Sequence, residues 1–176
     1  MRRHYIWMLL FVLLLLQGTV MVWLMPASWQ SVTFVVPHFT LTVVIFVGLY
    51  IGRHPALIYG IIFGLLQDFL FYGTMLGVYS FGMGLTGYLA GLLQRRVPGS
   101  LMYRLISVGL GQFLFNVINY GLNRLFNVTK APFEHMLTSQ MLPSLLFNVA
   151  FALLIYVPLR RLLEKVGEGG KSEQDE

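Results

Sequence analysis

The chain has 176 residues, of which 57% are hydrophobic and only 11% are charged, and its mean hydropathy is +0.73. Soluble domains are about 45–50% apolar and about 25% charged, so this composition excludes an ordinary soluble globule. The net charge of +5 does not indicate nucleic-acid binding, because the basic residues lie in pairs between apolar runs rather than on one solvated face. The absence of cysteine excludes disulfides, thiolate nucleophiles and cysteine-based metal sites.

Six apolar runs predict an all-α integral membrane protein with six transmembrane helices. Each span needs about 20 largely apolar residues, and the runs follow one another in a single membrane domain, residues 1–166. The first run is longer than the h-region of a signal peptide, which favours a retained anchor. The Gly-rich, acidic segment 167–176 is expected to be a disordered cytoplasmic tail. The predicted spans cover residues 6–25, 37–51, 55–72, 74–93, 101–126 and 140–159.

Glycine and proline mark the ends of several spans. The segment 52–55, Gly-Arg-His-Pro, predicts a tight turn and makes spans two and three a helical hairpin. Pro143 lies in the first turn of span six and Pro158 near its end, and both are expected to mark helix ends rather than hinges. Residues 127–139, between spans five and six, form the most polar interior stretch and are too short for a domain.

The positions of Lys and Arg predict the orientation of the spans, because short cytoplasmic loops carry an excess of these residues. With both termini in the cytoplasm, only Arg124 and Lys130 lie outside, whereas the opposite orientation inverts the ratio. The chain is therefore predicted to be a multi-pass protein with its N-terminus and C-terminus inside. The inside residues are Arg2, Arg3, Arg53, Arg95, Arg96, Arg104, Arg160, Arg161, Lys165 and Lys171.

Asp68 is the only acidic residue within an apolar run. An ionisable residue in the bilayer centre costs about 2.5–3.5 kcal/mol on insertion scales, which makes it a candidate functional residue. Gly60, Gly64 and Asp68 recur every fourth residue, so they share a helix face that another helix can approach closely. Three interpretations of Asp68 stay open: a buried polar contact, a shallow cap of local amides, and a proton-relay or substrate role.

A second face of small residues lies on span four. Its members are spaced by three and four residues in a heptad pattern, and small side chains let helices pack closely in lipid. Both ordinary packing inside the bundle and a contact with another protein's membrane helix agree with this pattern. The residues are Gly77, Ser80, Gly84, Gly87 and Gly91.

Amide side chains form a polar stripe on span five, and span six adds one more. Amides in the hydrocarbon region need hydrogen-bonding partners, so the stripe is expected to face the bundle interior or a cavity. Structural hydrogen bonds, a protein contact and a small-ligand pocket are the alternatives. The amides are Gln112, Asn116, Asn119, Asn123 and Asn148.

The sequence carries no recognisable signature of catalysis. It contains neither a His-Glu-x-x-His motif nor a Gly-Lys-Ser/Thr loop. Ser80 lies out of register for a nucleophile elbow. We therefore predict no catalytic residue, no cofactor and no metal site, and expect that the chain is not an enzyme.

The order of motifs resembles the MreD family of bacterial rod shape-determining membrane proteins, over nearly the whole chain. One departure occurs at the start of span two, where a Pro-Asp, Pro-Asn or Pro-Arg pair is expected and this chain has Pro37-His38. The resemblance therefore assigns no role to His38. It rests on Ala56–Asp68, Leu76–Val78, Tyr88–Ala90, Pro143–Ala150 and Val157–Arg160.

The resemblance implies a non-enzymatic scaffold of the cell-elongation machinery, in the bacterial cytoplasmic membrane, that helps to position or regulate lateral peptidoglycan synthesis. Members of the family work with MreC, which has one membrane helix and a large extracellular part. The actin-like MreB, RodA and a class B penicillin-binding protein complete the complex. On this interpretation the small-residue faces and Asp68 receive MreC. The resemblance also implies a compact six-helix bundle similar to the substrate-binding subunits of energy-coupling-factor vitamin transporters.

Two other functions are alternatives. A small-molecule-binding transporter subunit is suggested by the amide stripe and the transporter-like fold, although Leu9–Leu16 lacks the Ala-x-x-x-Ala coupling face expected of such subunits. A carrier of lipids or lipid-linked precursors is suggested by the basic pairs and the embedded amides. Apart from proteins, the lipid bilayer is the expected partner, and nucleic acid is not.

Overall fold

A computed structural model describes residues 3–24, 35–71, 75–93 and 100–172. The described residues are helical with short connections and include no strand, which confirms the prediction of an all-α fold. The helices are α1 (Arg3–Leu24), α2 (Phe39–Tyr50), α3 (Arg53–Leu70), α4 (Val78–Leu93), α5 (Leu101–Leu125), α6 (Phe133–Met136) and α7 (Leu142–Ser172), with a π-helical turn (Leu137–Met141) between the last two.

The helices α1 to α5 begin and end within a few residues of the first five predicted spans. The turn predicted at residues 52–55 is present, since α2 ends at Tyr50 and α3 begins at Arg53. Gly52 has a φ of 142° between them, a backbone conformation that favours glycine. Residue 25, residues 72–74 and the basic turn 94–99 lie outside the described residues.

The sixth predicted span differs most from the structure. Helical backbone begins at Phe133 rather than at residue 140, and a π-helical turn precedes Pro143. Because Pro143 has no N–H, it leaves the carbonyl four residues earlier without its usual partner. A π-helical turn changes the hydrogen-bond spacing at this point: the N–H of Leu142 donates to the carbonyl of Leu137.

The C-terminal helix also continues further than predicted. It passes through Pro158, which does not end it, and reaches Ser172, six residues into the segment expected to be disordered. Beyond the proline, Arg160 and Glu164 form an ion pair with an N–O distance of 2.7 Å. Pairs four residues apart stabilise a helix. Residues 173–176 lie outside the described part of the chain.

The short helix α2 lies at the centre of the fold. It packs against α1, α3, α4, α5 and α7, and eleven consecutive residues, Phe39 to Leu49, are buried. Its twelve residues span about 18 Å, less than the ~30 Å hydrocarbon core of a bilayer. The other helices therefore cover α2 on all sides, and it is a core element rather than a lipid-facing one.

Two helical segments are long and apolar enough to cross a membrane, Leu101–Leu125 and Phe133–Val166. Three shorter helical segments are also apolar: His4–Thr19, Phe39–Tyr50 and Val78–Leu93. Large apolar side chains lie on the outer surface of the bundle, among them Phe11, Leu110 and Leu154. Many large apolar side chains exposed on the outer surface agree with a membrane contact.

Candidate functional site

The glycine faces predicted on spans three and four pack against each other. A Cβ atom added to Gly60 would lie 2.8 Å from the Cα atom of Gly84. A Cβ atom added to Gly64 would overlap the backbone of Ser80. Distances below 3.0 Å are not seen for real Cβ contacts, so the two backbones touch because neither glycine has a side chain.

The same close approach continues toward the other end of α4. A Cβ atom on Gly87 would lie 2.9 Å from the carbonyl oxygen of Ala56, and one on Gly91 would overlap Arg53. Gly48 of the central helix takes part from the other side, since a Cβ atom added to it would lie 2.8 Å from the carbonyl oxygen of Gly87. The close-packing surfaces of these glycines are therefore occupied inside the bundle. This favours ordinary packing inside the bundle as the role of these glycines, and a contact between α4 and another protein's membrane helix stays a prediction.

Asp68 is 1% exposed and binds the beginning of α4. Its Oδ2 atom accepts hydrogen bonds from the N–H groups of Gly77 at 2.9 Å and Ser80 at 3.3 Å. Its Oδ1 atom accepts one from Tyr79 at 3.3 Å. Two of the open interpretations of Asp68 therefore describe one contact, since it is both buried and a cap of local amides. A carboxylate is favourable here because the N-terminus of a helix carries partial positive charge.

Gly77 has a different part from the other small residues. It precedes α4 with a φ of 98° and has open space where a side chain would be. Residues with a side chain rarely adopt this conformation. In it, the N–H of Gly77 donates to the Asp68 carboxylate. Ser80, one turn later, donates its hydroxyl hydrogen to the carbonyl of Ile61 at 3.0 Å and so fixes α4 to α3.

Two of the predicted amides bind the first turn of α2 and the segment that leads into it. Asn148 accepts a hydrogen bond from the N–H of His38 at 2.7 Å and donates one to the carbonyl of Val36 at 3.1 Å. Gln112 donates to the hydroxyl of Thr42 at 2.8 Å. Residues 35–38 have no regular secondary structure, and non-helical backbone at membrane depth is tolerated only where protein groups satisfy it.

The other three predicted amides line a cavity beside this segment. Asn123 donates to the side-chain oxygen of Asn119 at 2.6 Å. Asn116 lies one turn earlier on α5 and lines the same space, whereas Asn148 does not. The cavity has a volume of about 240 Å³ and is bounded by His38, Tyr79, Asn116, Asn119, Tyr120, Asn123, Thr129, Met136, Gln140 and Met141.

Comparison with known proteins identifies the family. A sequence model of the rod shape-determining protein MreD matches residues 1–166. The chain belongs to the MreD family. It is 31% identical over 124 residues to the rod shape-determining protein MreD of Bacillus subtilis (strain 168), a match that covers 70% of this chain and 72% of that protein. No solved structure matches the chain.

Membership of the MreD family implies a role in determining rod shape. Together with the two long apolar helical segments, it indicates a membrane protein. The MreD family is one of shape-determining proteins and not a known enzyme family. In the residues that the structure describes, no group of three or more His, Asp or Glu side chains could hold a metal ion.

Sequence reasoning missed a polar cluster in the core of this MreD-family chain. The Oε1 atom of Gln17 accepts hydrogen bonds from the Gln67 side chain at 3.2 Å and from the Thr40 hydroxyl at 3.4 Å. These buried groups join α1, α2 and α3. The three residues lie in three different apolar runs, so no spacing pattern within one helix marked the cluster. The only signal in the sequence was that each polar residue lies within an apolar span.

Proposed function

We propose that the chain is a non-enzymatic membrane scaffold of the cell-elongation machinery, which binds MreC and helps to position or regulate lateral peptidoglycan synthesis. Its family supports the role in rod shape. A scaffold needs a rigid body, and the glycine contacts of α2, α3 and α4 provide one. In this proposal MreB, RodA and a class B penicillin-binding protein are further members of the complex.

The proposed topology has six spans, formed by α1 to α5 and by the continuous segment from α6 to α7, with both termini in the cytoplasm. Ten of the twelve basic residues then lie inside, in agreement with the positive-inside rule. The central position of α2 supports a compact bundle similar to energy-coupling-factor substrate-binding subunits. On this topology Asp68, His38 and the amide-lined cavity lie toward the extracytoplasmic side.

An apolar groove between α3 and α4 is the surface that we propose for the membrane helix of MreC. The groove has a volume of about 440 Å³ and extends along α4 from Gly77 to Tyr88, about 16 Å or three helical turns. No charged side chain lines it, so a membrane helix could enter without desolvating a charge. Its other lining residues are Leu57, Ile61, Ser80, Phe81, Gly84 and Leu85.

In this proposal the glycines shape the groove rather than contact MreC through a free glycine face. Gly60 and Gly64 bring α3 and α4 together, while Gly84 forms part of the groove floor next to Ile61 and Leu57. Phe81 is 55% exposed and stands at the edge where a partner helix would first make contact. MreC, with its single membrane helix, is the occupant because one helix is what a groove between two helices accepts.

Cysteine cross-linking tests this site directly, because the chain has no cysteine of its own. Phe81→Cys should form disulfides with cysteines placed one by one along the MreC membrane helix, with a period of three to four residues. Leu154→Cys is the matched control, since Leu154 is 78% exposed on α7, away from the groove. If MreC co-purifies with both variants but only Leu154→Cys forms cross-links, MreC does not bind in this groove.

A small-molecule-binding transporter subunit remains the second candidate function. The amide-lined cavity beside His38 favours it. The leucine-rich α1, with no Ala-x-x-x-Ala face, disfavours docking to a transporter motor. Substrate uptake that depends on this chain in reconstituted vesicles would support the transporter function, whereas ligand binding without uptake would leave the scaffold as the function.

A further inference from the structure

The amide-lined cavity contains two buried polar atoms that have no partner in the protein. They are the Nδ1 atom of His38 and the Nδ2 atom of Asn116, and both residues line the cavity. His38 is only 3% exposed. Buried polar groups almost always have a hydrogen-bonding partner, and each one without a partner destabilises the fold. Each of these two atoms therefore needs a partner from a molecule in the cavity, either a ligand or water.

The groups around the cavity are otherwise held in place. The Asn119 side chain accepts a hydrogen bond from the Asn123 side chain at 2.6 Å. The Tyr120 hydroxyl donates to the carbonyl of Ala131 at 2.9 Å. The His38 backbone is fixed by Asn148. The two atoms without partners therefore belong to a pre-organised wall, which lowers the entropic cost of binding.

The residues that line the cavity favour a neutral ligand. None of these ten residues is Asp, Glu, Lys or Arg, so a phosphate, carboxylate or ammonium group would enter without a counter-charge. Burying an unpaired charge is strongly unfavourable. Amino acids, nucleotides and phosphorylated sugars are disfavoured on this ground.

The volume of the cavity and its aromatic lining further limit the class of ligand. The volume of about 240 Å³ is below the ~300–1,000 Å³ of pockets for drug-sized molecules, which fits a single ring. The aromatic rings of Tyr79 and Tyr120 offer apolar faces against which a ring can pack. Asn116 supplies an N–H donor, which requires a carbonyl or another acceptor on the ligand.

We propose that this cavity binds a neutral, single-ring molecule that carries a carbonyl group, with the Asn116 amide donating to that carbonyl. An acetamido sugar and a flat heterocyclic amide share this chemistry. The site is separate from the MreC groove between α3 and α4, because no residue lines both. Binding at this site would therefore survive the failure of the groove assignment.

Titration calorimetry of the full chain in nanodiscs tests the site with N-acetylglucosamine and nicotinamide as probes. Glucose, which lacks the carbonyl in its ring form, and glycine, which is a zwitterion, are the negative controls. Binding of N-acetylglucosamine alone would identify a sugar site, and binding of nicotinamide alone a heterocycle site. Binding of neither probe, or equal binding of glycine, would overturn the proposal.

Two variants test the role of the orphaned atoms. Asn116→Leu keeps the side-chain shape and removes the donor, so the bound probe should bind at least about tenfold more weakly, since one such hydrogen bond is worth a factor of this order. His38→Phe keeps the ring and the backbone contacts and removes Nδ1, and should also weaken binding. If either variant folds and binds the probe as tightly as the original chain, that atom is not part of a site.

Thr86→Val provides the matched control. The Thr86 hydroxyl is also buried without a partner, but Thr86 does not line the cavity. Asn116→Leu and Thr86→Val should each raise the midpoint of thermal unfolding of the free protein, because each removes an orphaned polar group. Only Asn116→Leu should reduce binding. A loss of binding in Thr86→Val as well would indicate a general effect on packing and overturn the assignment.

Discussion

Asn148 of α7 accepts a hydrogen bond of 2.7 Å from the backbone N–H of His38, at the entry to α2. The same side chain donates to the carbonyl of Val36, and the hydroxyl of Ser144 accepts from the N–H of Val36 at 2.9 Å. One face of α7 thus replaces the backbone hydrogen bonds that the non-helical residues before α2 lack. The central helix can be short because its N-terminal extension is held in this way.

Removing the Asn148 amide should destabilise the fold. Asn148→Ala leaves two backbone groups without partners, at a cost of about 1–3 kcal/mol each, whereas Ser144→Ala leaves one. The free energy of unfolding, measured by SDS titration in mixed micelles, should therefore fall more for Asn148→Ala than for Ser144→Ala. Equal losses would show that the amide does not satisfy both groups.

The Asp68 carboxylate should stabilise the beginning of α4. Asp68→Asn replaces one accepting oxygen by an NH₂ group that faces the N–H donors of Gly77 and Ser80. We expect a loss of about 1–2 kcal/mol, the range for a helix cap with a favourable charge. Glu134→Gln, at an exposed acid on α6, is the control and should change the free energy of unfolding by less than the error of the SDS titration.

The glycines of α3 should be required for folding rather than for partner binding alone. Gly64→Ala places a Cβ atom on the backbone of Ser80, so the variant should be degraded or should lose most of its thermal stability. Gly121→Ala is the matched control, because a Cβ there meets nothing within 4 Å and alanine is the better helix former by about 1 kcal/mol. A stable Gly64→Ala protein that fails only to bind MreC would restore the glycine face as a docking surface.

The sequence predicts helices and faces well but not which faces meet. The four-residue spacing of Gly60, Gly64 and Asp68 marks a close-packing face, and the heptad of small residues on span four marks another. That the two pack together depends on the register of α3 against α4, which the Asp68 contacts at the start of α4 help to fix. No spacing within one helix contains that information.

The role of His38 could not be predicted for a different reason. Its contacts with Asn148 and Gln112 use backbone atoms, and any residue except proline could donate the first of these bonds. Only its side chain, which lines the cavity, is specific to histidine. The amide stripe, by contrast, was predictable because a period of three to four residues places its members on one side of α5.

Side-specific labelling tests the proposed topology. Without native cysteines, Lys130→Cys and Glu164→Cys each introduce a single thiol, before α6 and near the C-terminal end of the described helix. In protoplasts or spheroplasts, whose cytoplasmic membrane is intact, a membrane-impermeant maleimide should label Lys130→Cys only. Both variants should react after the cells are lysed. The expectation follows from the charge count, because the proposed topology puts only two of the twelve basic residues on the outer side. Labelling of both variants before lysis would place residues 130 and 164 on the same side. The continuous segment from α6 to α7 would then not cross the membrane, which would remove the sixth span.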